Sequence, residues 1–366
     1  MRILILADDA ADFAIAEHPE QIALLEEPGP RRDIALLFPR LDLSRVQLRF
    51  LGLHGANSLN AHGIFNPLAW RRLAQILRSE EIELVHALTP KTALYAAIAG
   101  RLADIPTLAS IYEVRLPRKR KLIEAARARI TQTILQWGID RVVVPSELVR
   151  QNLWQMRYPR VRSEVIYPGV ELRDPGAPLP EREALGLPSG PLVTMIAALV
   201  EDQGFNALME TVPRLLLRVP EVEVAVVGTG PLLIKSQQHA RKLPIHWLGE
   251  RRDVRDIIAA SDAILVQPRY DSLPRAVLEA AAAGKPVIAS RVAGITEIVE
   301  PGSTGTLVTY DDSRDLAIQI SRYLLQPAFR RDVGTAAQDR ARRRFSMDVQ
   351  RDAMTTLYEG TIYARR

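Results

Sequence analysis

At 366 residues, with 47% hydrophobic and 25% charged side chains, the chain has the profile of an ordinary globular protein of about two domains, which excludes disorder over most of its length. Lys and Arg number 48 against 43 Asp and Glu, a formal charge of +5, and the lack of cysteine excludes a disulfide scaffold, thiolate catalysis and cysteine-ligated zinc. The longest apolar stretch, Pro191 to Val200, is about half of the roughly 18 residues a membrane span needs, and acidic Asp8 and Asp9 argue against a signal peptide, so a soluble cytoplasmic protein is expected.

Short apolar runs of strand length then alternate with stretches of helical spacing. RILILA opens the pattern, and DIALLF (33–38), VQLRFL (46–51), IELVHA (82–87), PTLASI (106–111), DRVVVP (140–145) and EVIYP (164–168) repeat it. Trp70, Leu73, Ile76 and Leu77 mark one predicted helix, and residues 93–102 another. Unbroken apolar strands between amphipathic helices imply a parallel sheet covered on both faces. From Glu171 to Gly190, four prolines and three glycines fall within twenty residues. Proline fixes φ and glycine frees it, so this segment is the predicted interdomain linker. The alternation restarts with LVTMIAAL (192–199), VEVAVVG (222–228), IHWLG (245–249), AILVQP (263–268), PVIAS (286–290) and TLV (306–308). Two doubly wound α/β domains in tandem are therefore predicted. From about Ser313 two or three helices follow, the last placing Phe345, Val349, Met354, Leu357 and Tyr358 near one face.

The chemistry concentrates between Ala263 and Val308. A buried strand ends at Gln267-Pro268, the loop RYDSL follows, and a helix begins near Pro274, a residue favoured in a first helical turn. Amides from Leu273 to Ala276 would face whatever sits above the sheet edge, and a helix N-terminus at the carboxyl end of parallel strands is a ready phosphate site. Asp271 precedes this turn, and Glu279 follows eight positions later. A carboxylate there can accept two hydrogen bonds from a ribose diol. The alternatives are a simple cap at Asp271 and a solvated helix residue at Glu279.

The segment DSLPRAVLEAAAAGKPVIASRVAGITEIVEPGSTGTLV resembles the signature of retaining glycosyltransferases of family 4. That family's spaced acid pair falls on Asp271 and Glu279, and its G-x-P-V on residues 284–287. VVGTGP (226–231), HWLGERRDV (246–254), VIYPGVEL (165–172) and VVVPSELVRQNL (142–153) extend the resemblance in the family's order. It implies the GT-B fold, two Rossmann-like domains facing a central cleft: residues 1–172 as acceptor domain, 173–190 as linker, 191–344 as nucleotide-sugar domain, and 345–366 as a helix crossing back to the first domain. It further implies Glu279 on the ribose hydroxyls and the backbone of Asp271, Ser272, Leu273, Pro274 and Arg275 against phosphate and sugar, the N–H groups of all but Pro274 serving as donors. Gln203, Gly204, Gly228, Gly230 and Gly249 would complete the donor pocket, and no metal or other cofactor is expected. The leaving diphosphate would be neutralised by cationic side chains.

The departures fall on those cations. The family's R-L-x(3)-K-G aligns with ALVEDQG, which puts Ala198 at the arginine and Gln203 at the lysine and keeps Gly204. Charge-assisted phosphate bonds are strong ones, so the loss matters. Arg269, Arg275 and Arg291 are candidate substitutes; the alternative is that they are surface arginines. The family's glycine pair after the first strand is missing, the first glycine of the chain being Gly29, and the family's histidine after PTLASI aligns with Tyr112 in YEVR, leaving Tyr112 and Glu113 to contact donor sugar or acceptor. His86, at the end of IELVHA, matches a frequent family histidine and is read as either catalytic or structural.

Other templates fail: Leu233 interrupts a dinucleotide glycine pattern begun at Gly228 and Gly230, no Ser or Thr completes a P-loop after Lys285, and no H-E-x-x-H or serine elbow occurs. The segment 115–129 carries Arg115, Arg118, Lys119, Arg120, Lys121, Arg127 and Arg129 against the single acid Glu124. It is read either as a patch for anionic membrane at the inner face or as a solvated helix. Nucleic acid is not expected, since no aromatic platform interleaves these charges. The expected function is retaining transfer of a hexose from a nucleotide-diphosphate sugar to a glycan or lipid-linked acceptor, as in polysaccharide biosynthesis. The alternatives are a catalytically impaired relative acting as a scaffold, and a nucleotide-sugar epimerase.

Overall fold

The computed structural model describes residues 1–9, 47–54, 66–112, 130, 132–155, 162–270 and 273–365. The 33–38 run, Glu113, Asp271, Ser272 and the basic residues Arg115, Arg118, Lys119, Arg120, Lys121, Arg127 and Arg129 lie outside them. The chain divides into two compact units: residues 1–169 with 347–366, and residues 170–346.

In the first unit β1 (Arg2–Asp9), β2 (Gln47–His54), β3 (Leu84–Ala87), β4 (Thr107–Ser110), β5 (Arg141–Val144) and β6 (Arg162–Val165) form a parallel sheet of order β2-β1-β3-β4-β5-β6. Every residue of β3 and β4 is buried, as expected of strands covered on both faces. Helix α1 (Pro67–Ser79) starts where the Asn66 side chain accepts from the Ala69 amide and proline occupies the first turn. Helix α2 (Pro90–Ala103) starts on a reciprocal Thr89–Thr92 capping box. Leu73 and Leu77 of α1 and Tyr95 of α2 pack with Leu4, Leu6 and Val85 in one core; α3 (Glu147–Gln155) adds Val149 and Leu153.

The second unit repeats the plan. Its strands β7 (Leu192–Ile196), β8 (Glu223–Val227), β9 (Ile245–Gly249), β10 (Ala263–Val266), β11 (Val287–Ser290) and β12 (Thr306–Val308) run parallel in the order β12-β11-β10-β7-β8-β9. The helices between them are α4 (Phe205–Leu216), α5 (Leu233–His239), α6 (Val254–Ala260), α7 (Arg275–Ala282) and α8 (Ala293–Ile298). Then α9 (Ser313–Leu325) packs its Leu316, Ile320 and Tyr323 with Leu208 and Val212 of α4 against one face. Leu187, from the proline-rich segment, packs with Ile257 and Ala260 of α6. That segment clusters with the second unit.

Two helices close the chain, α10 (Pro327–Arg344) and α11 (Met347–Tyr363). The latter belongs to the first unit, where Met354, Leu357, Tyr358 and Ile362 cover Ile3, Ile5, Leu84, Leu108 and Val143. The expected apolar face of this tail holds from Met354 to Tyr358 and needs correction at its first two members. Phe345 precedes α11 and is buried within the second unit, while Val349 is 38% exposed.

Candidate functional site

In the second sheet the chain leaves β7 to β8 and β9 on one side, then returns to place β10 on the other. Between β7 and β10 the crossovers therefore diverge, leaving room at the carboxyl ends of these strands, where open parallel sheets accept ligands. The loops that leave β7 and β10 meet at this switch point. The amide of Arg269 donates to the Asp202 carbonyl at 2.7 Å. Gly204, at the N-cap of α4 with φ +78°, packs on Gln267, and a Cβ there would come within 2.8 Å of the Gln267 carbonyl oxygen. Gly228, just after β8, lies flush against the Ala197 carbonyl, where a side chain would overlap it. The sequence reading brought Gly204, Gly228, Gly230 and Gly249 together by resemblance. The structure sets Gly228, Gly230 and Gly249 at or just past the ends of the neighbouring strands β8 and β9, with the Gly228 amide donating to the Gly249 carbonyl at 2.8 Å, and Gly204 at the N-cap of α4.

Above β10 stands the first turn of α7. Arg275 Nε donates to Glu279 Oε1 at 2.7 Å, one helical turn apart, and the Glu279 side chain is only 9% exposed. This is not the solvated residue that helical periodicity alone allows. Burial of a carboxylate is tolerated because the guanidinium sits on it. Arg275 Nη1 is also buried, and no hydrogen-bond partner meets it among the described residues. Neither side-chain atom of Gln267, itself 1% exposed, has a partner there either. Buried amides and guanidinium N–H groups left unpaired cost on the order of 1–3 kcal/mol each, so this strand-to-helix crossover holds polar groups open to water or a polar ligand. Gln267 was missed by sequence reasoning; its signal was a polar residue ending an otherwise apolar strand.

The other candidate cations divide. Arg269 pairs with Asp202 at 3.2 Å and lies over the rings of Tyr270 and Tyr310, so its guanidinium stands against the loop that carries Gln203. Arg291 follows β11 and its amide donates to the Val308 carbonyl. Gln203 is half-buried and Ala198 exposed. Leu273 and Pro274 form the entry to α7, which has no side-chain cap at its N-terminus. Among the described residues no group of three or more His, Asp or Glu could hold a metal ion, and no helix is long and apolar enough to cross a membrane.

In the first unit His86 is fully buried on β3. Nδ1 shares a hydrogen bond with the Tyr358 hydroxyl at 2.8 Å, and Nε2 one with the Ser110 hydroxyl at 2.8 Å. Burial lowers its pKa to about 3, so the ring is neutral at physiological pH. Both nitrogens are engaged and the ring is fully buried, an arrangement that fits the structural alternative given for His86. Tyr112 follows β4, half-buried against the same cluster as Tyr358.

A family model described as "Glycosyl transferases group 1" matches residues 190–326, and one described as "Glycosyltransferase Family 4" matches residues 33–174. The GDP-mannose-dependent alpha-(1-6)-phosphatidylinositol monomannoside mannosyltransferase of Mycolicibacterium smegmatis is 30% identical over 216 residues, 54% of this chain and 56% of that protein. The D-inositol 3-phosphate glycosyltransferase of Saccharomonospora viridis is 27% identical over 247 residues, 62% of this chain and 57% of that protein. The chain thus spans little more than half the length of these curated relatives. The crystal structure of Anabaena HepE in complex with UDP has a TM-score of 0.73 at 20% identity, covering 98% of this chain and 100% of that one, a likeness of fold. The fold is GT-B.

Proposed function

The chain belongs to glycosyltransferase family 4, and from that premise we propose that it transfers a hexose, with retention and without a metal, from a nucleotide-diphosphate sugar to a glycan or lipid-linked acceptor. One observation carries the reading: the buried Arg275–Glu279 pair at the head of α7, beside the carboxyl end of β10, with Arg275 Nη1 unsatisfied. The carboxylate uses Oε1 on Arg275, which leaves Oε2 to accept from ribose hydroxyls. Arg275 then offers its free N–H to the diphosphate, taking over the charge role vacated at Ala198 and Gln203. Amides at the head of α7 add the dipole of a helix N-terminus. Gln267 is proposed to orient the same diphosphate. Tyr112 and Glu113 are the proposed contacts for donor sugar or acceptor, and Asp271 and Ser272 the remaining donor-side residues. A relative named as GDP-mannose-dependent and a fold neighbour that holds UDP support a nucleotide-linked donor without choosing its base.

Calorimetry with UDP, GDP, ADP and their sugars tests this. Binding of at least one nucleotide is expected, with Glu279→Ala abolishing most of it and Arg275→Ala weakening diphosphates more than nucleosides. If no nucleotide binds, the enzyme reading fails and the scaffold alternative takes its place. Equal loss of nucleoside and diphosphate on Arg275→Ala would refute the role given to that arginine.

A further inference from the structure

The opposite end of the second sheet holds a cluster of charges that the donor site does not use. Asp262 immediately precedes β10, Lys285 stands two residues before β11, and Leu192 begins β7; these three strands are neighbours, so the residues meet at their amino ends. Asp262 is saturated. Oδ2 accepts from Arg182 Nη2 at 3.0 Å and from the Leu192 amide at 2.8 Å, and Oδ1 faces Arg330 Nη1 at 2.9 Å. Arg182 is fixed further by the carbonyls of Ala260 at 2.9 Å and Gly190 at 2.6 Å. Arg173 Nη2 donates to the Pro178 carbonyl at 2.5 Å and Nη1 stands 3.7 Å from Asp256, while its Nε is buried with no partner among the described residues.

Lys285 is the group left over. Among the described residues its ammonium makes no hydrogen bond or ion pair, yet it feels the charges of Asp262, Arg330, Arg182 and Arg173. Once Asp262 and Asp256 are matched against the four cations, two positive charges have no counter-charge in the cluster. Like charges gathered in a half-buried place repel, and a cluster with unspent N–H donors and a double positive excess fits a tetrahedral anion of about two negative charges. Arginine forks and a lysine point charge are the usual partners of such an anion.

We propose that Lys285, Arg173, Arg182 and Arg330 form a binding site for a phosphate dianion, at the end of the second sheet remote from the proposed donor site. All four reach solvent, with side-chain exposures of 24–25% for the three arginines, so a small anion can enter. Burial lowers the Lys285 pKa from 10.5 to about 8, against the pull of Asp262 and with help from the three arginines. Desolvation and the three arginines thus outweigh the one carboxylate that favours the ammonium. A bound anion restores that value, so affinity declines as pH rises through about 8.

The test is thermal unfolding of the full chain in inorganic phosphate against chloride at matched ionic strength, since screening alone would otherwise mimic binding. Saturating phosphate is expected to raise the Tm of the affected transition by about 2–4 °C. Lys285→Met, which keeps the aliphatic stem, should remove most of that rise while leaving nucleotide binding intact. Should Lys285→Met not fold, Arg330→Gln gives the same comparison. An equal rise with methyl phosphate assigns the site to phosphomonoesters, and a rise with inorganic phosphate alone assigns it to the free ion. No rise in the native chain, or a rise that survives Lys285→Met, overturns the proposal. So does a rise lost in Arg275→Ala instead, which would put the phosphate at the head of α7.

Discussion

His86→Gln gives the sharpest test of the first unit. In the native chain the ring is buried with both nitrogens hydrogen-bonded, and its pKa falls from 6.5 to about 3 because burial penalises the imidazolium. Between those two values the unfolded chain binds a proton that the folded chain refuses. Stability contributed by this group is therefore complete above pH 6.5 and is lost as pH falls toward 3, at about 1.4 kcal/mol per pH unit and about 5 kcal/mol in all. Glutamine cannot titrate. It reaches one of the two partners and leaves the other hydroxyl unpaired in the core, so at pH 7 it costs about 1–3 kcal/mol. Around pH 4.5 the native chain has itself lost about 3 kcal/mol, so its advantage over the variant is gone. Urea unfolding in a Trp247→Phe background reads this cleanly, because the remaining Trp70, Trp137 and Trp154 all lie in the first unit. Parallel acid slopes for the two proteins would refute the argument, as would a His86 resonance titrating near 6.5.

Gly204→Ala should destabilise the second unit by about 1–3 kcal/mol, because alanine pays for the left-handed backbone at φ +78° and its methyl crowds Gln267. An unchanged urea midpoint would show that the two loops do not meet as described. Arg365→Ala should loosen the end of α11, since Arg365 reaches the Ile105 carbonyl at 2.9 Å and the carboxylates of Asp140 at 3.0 Å and Asp104 at 3.1 Å. Faster amide exchange over the last turns of α11, for a loss of about 1 kcal/mol, is the expected result, and unaltered protection there would contradict it.

Much of this protein was legible residue by residue. The unbroken runs LVHA, TLAS, AILV and VIAS are strands buried throughout, and their lack of alternation already required helices on both faces. The second sheet's glycines stood at strand ends in sequence, and they stand there in space. Two candidate side chains were harder to read. His86 has the same local context whether it faces a ligand or a core. Glu279 lies on a helix whose exposed face periodicity could not single out, because α7 is buried from Val277 to Ala282.

Local pattern thus determined which segments form strands and helices, their parallel sense and the family order of the motifs. These follow from side-chain periodicity and turn chemistry within a few residues. Tertiary structure alone decided the rest. Tyr358 meets His86 across 272 positions of sequence, and only that contact turns a candidate catalytic residue into a neutral part of the core. Arg182, Asp262, Lys285 and Arg330 are dispersed over nearly 150 residues and become one electrostatic unit only when β7, β10 and β11 align their amino ends. Charge and desolvation act through space, and a sequence carries no distance between residues that far apart.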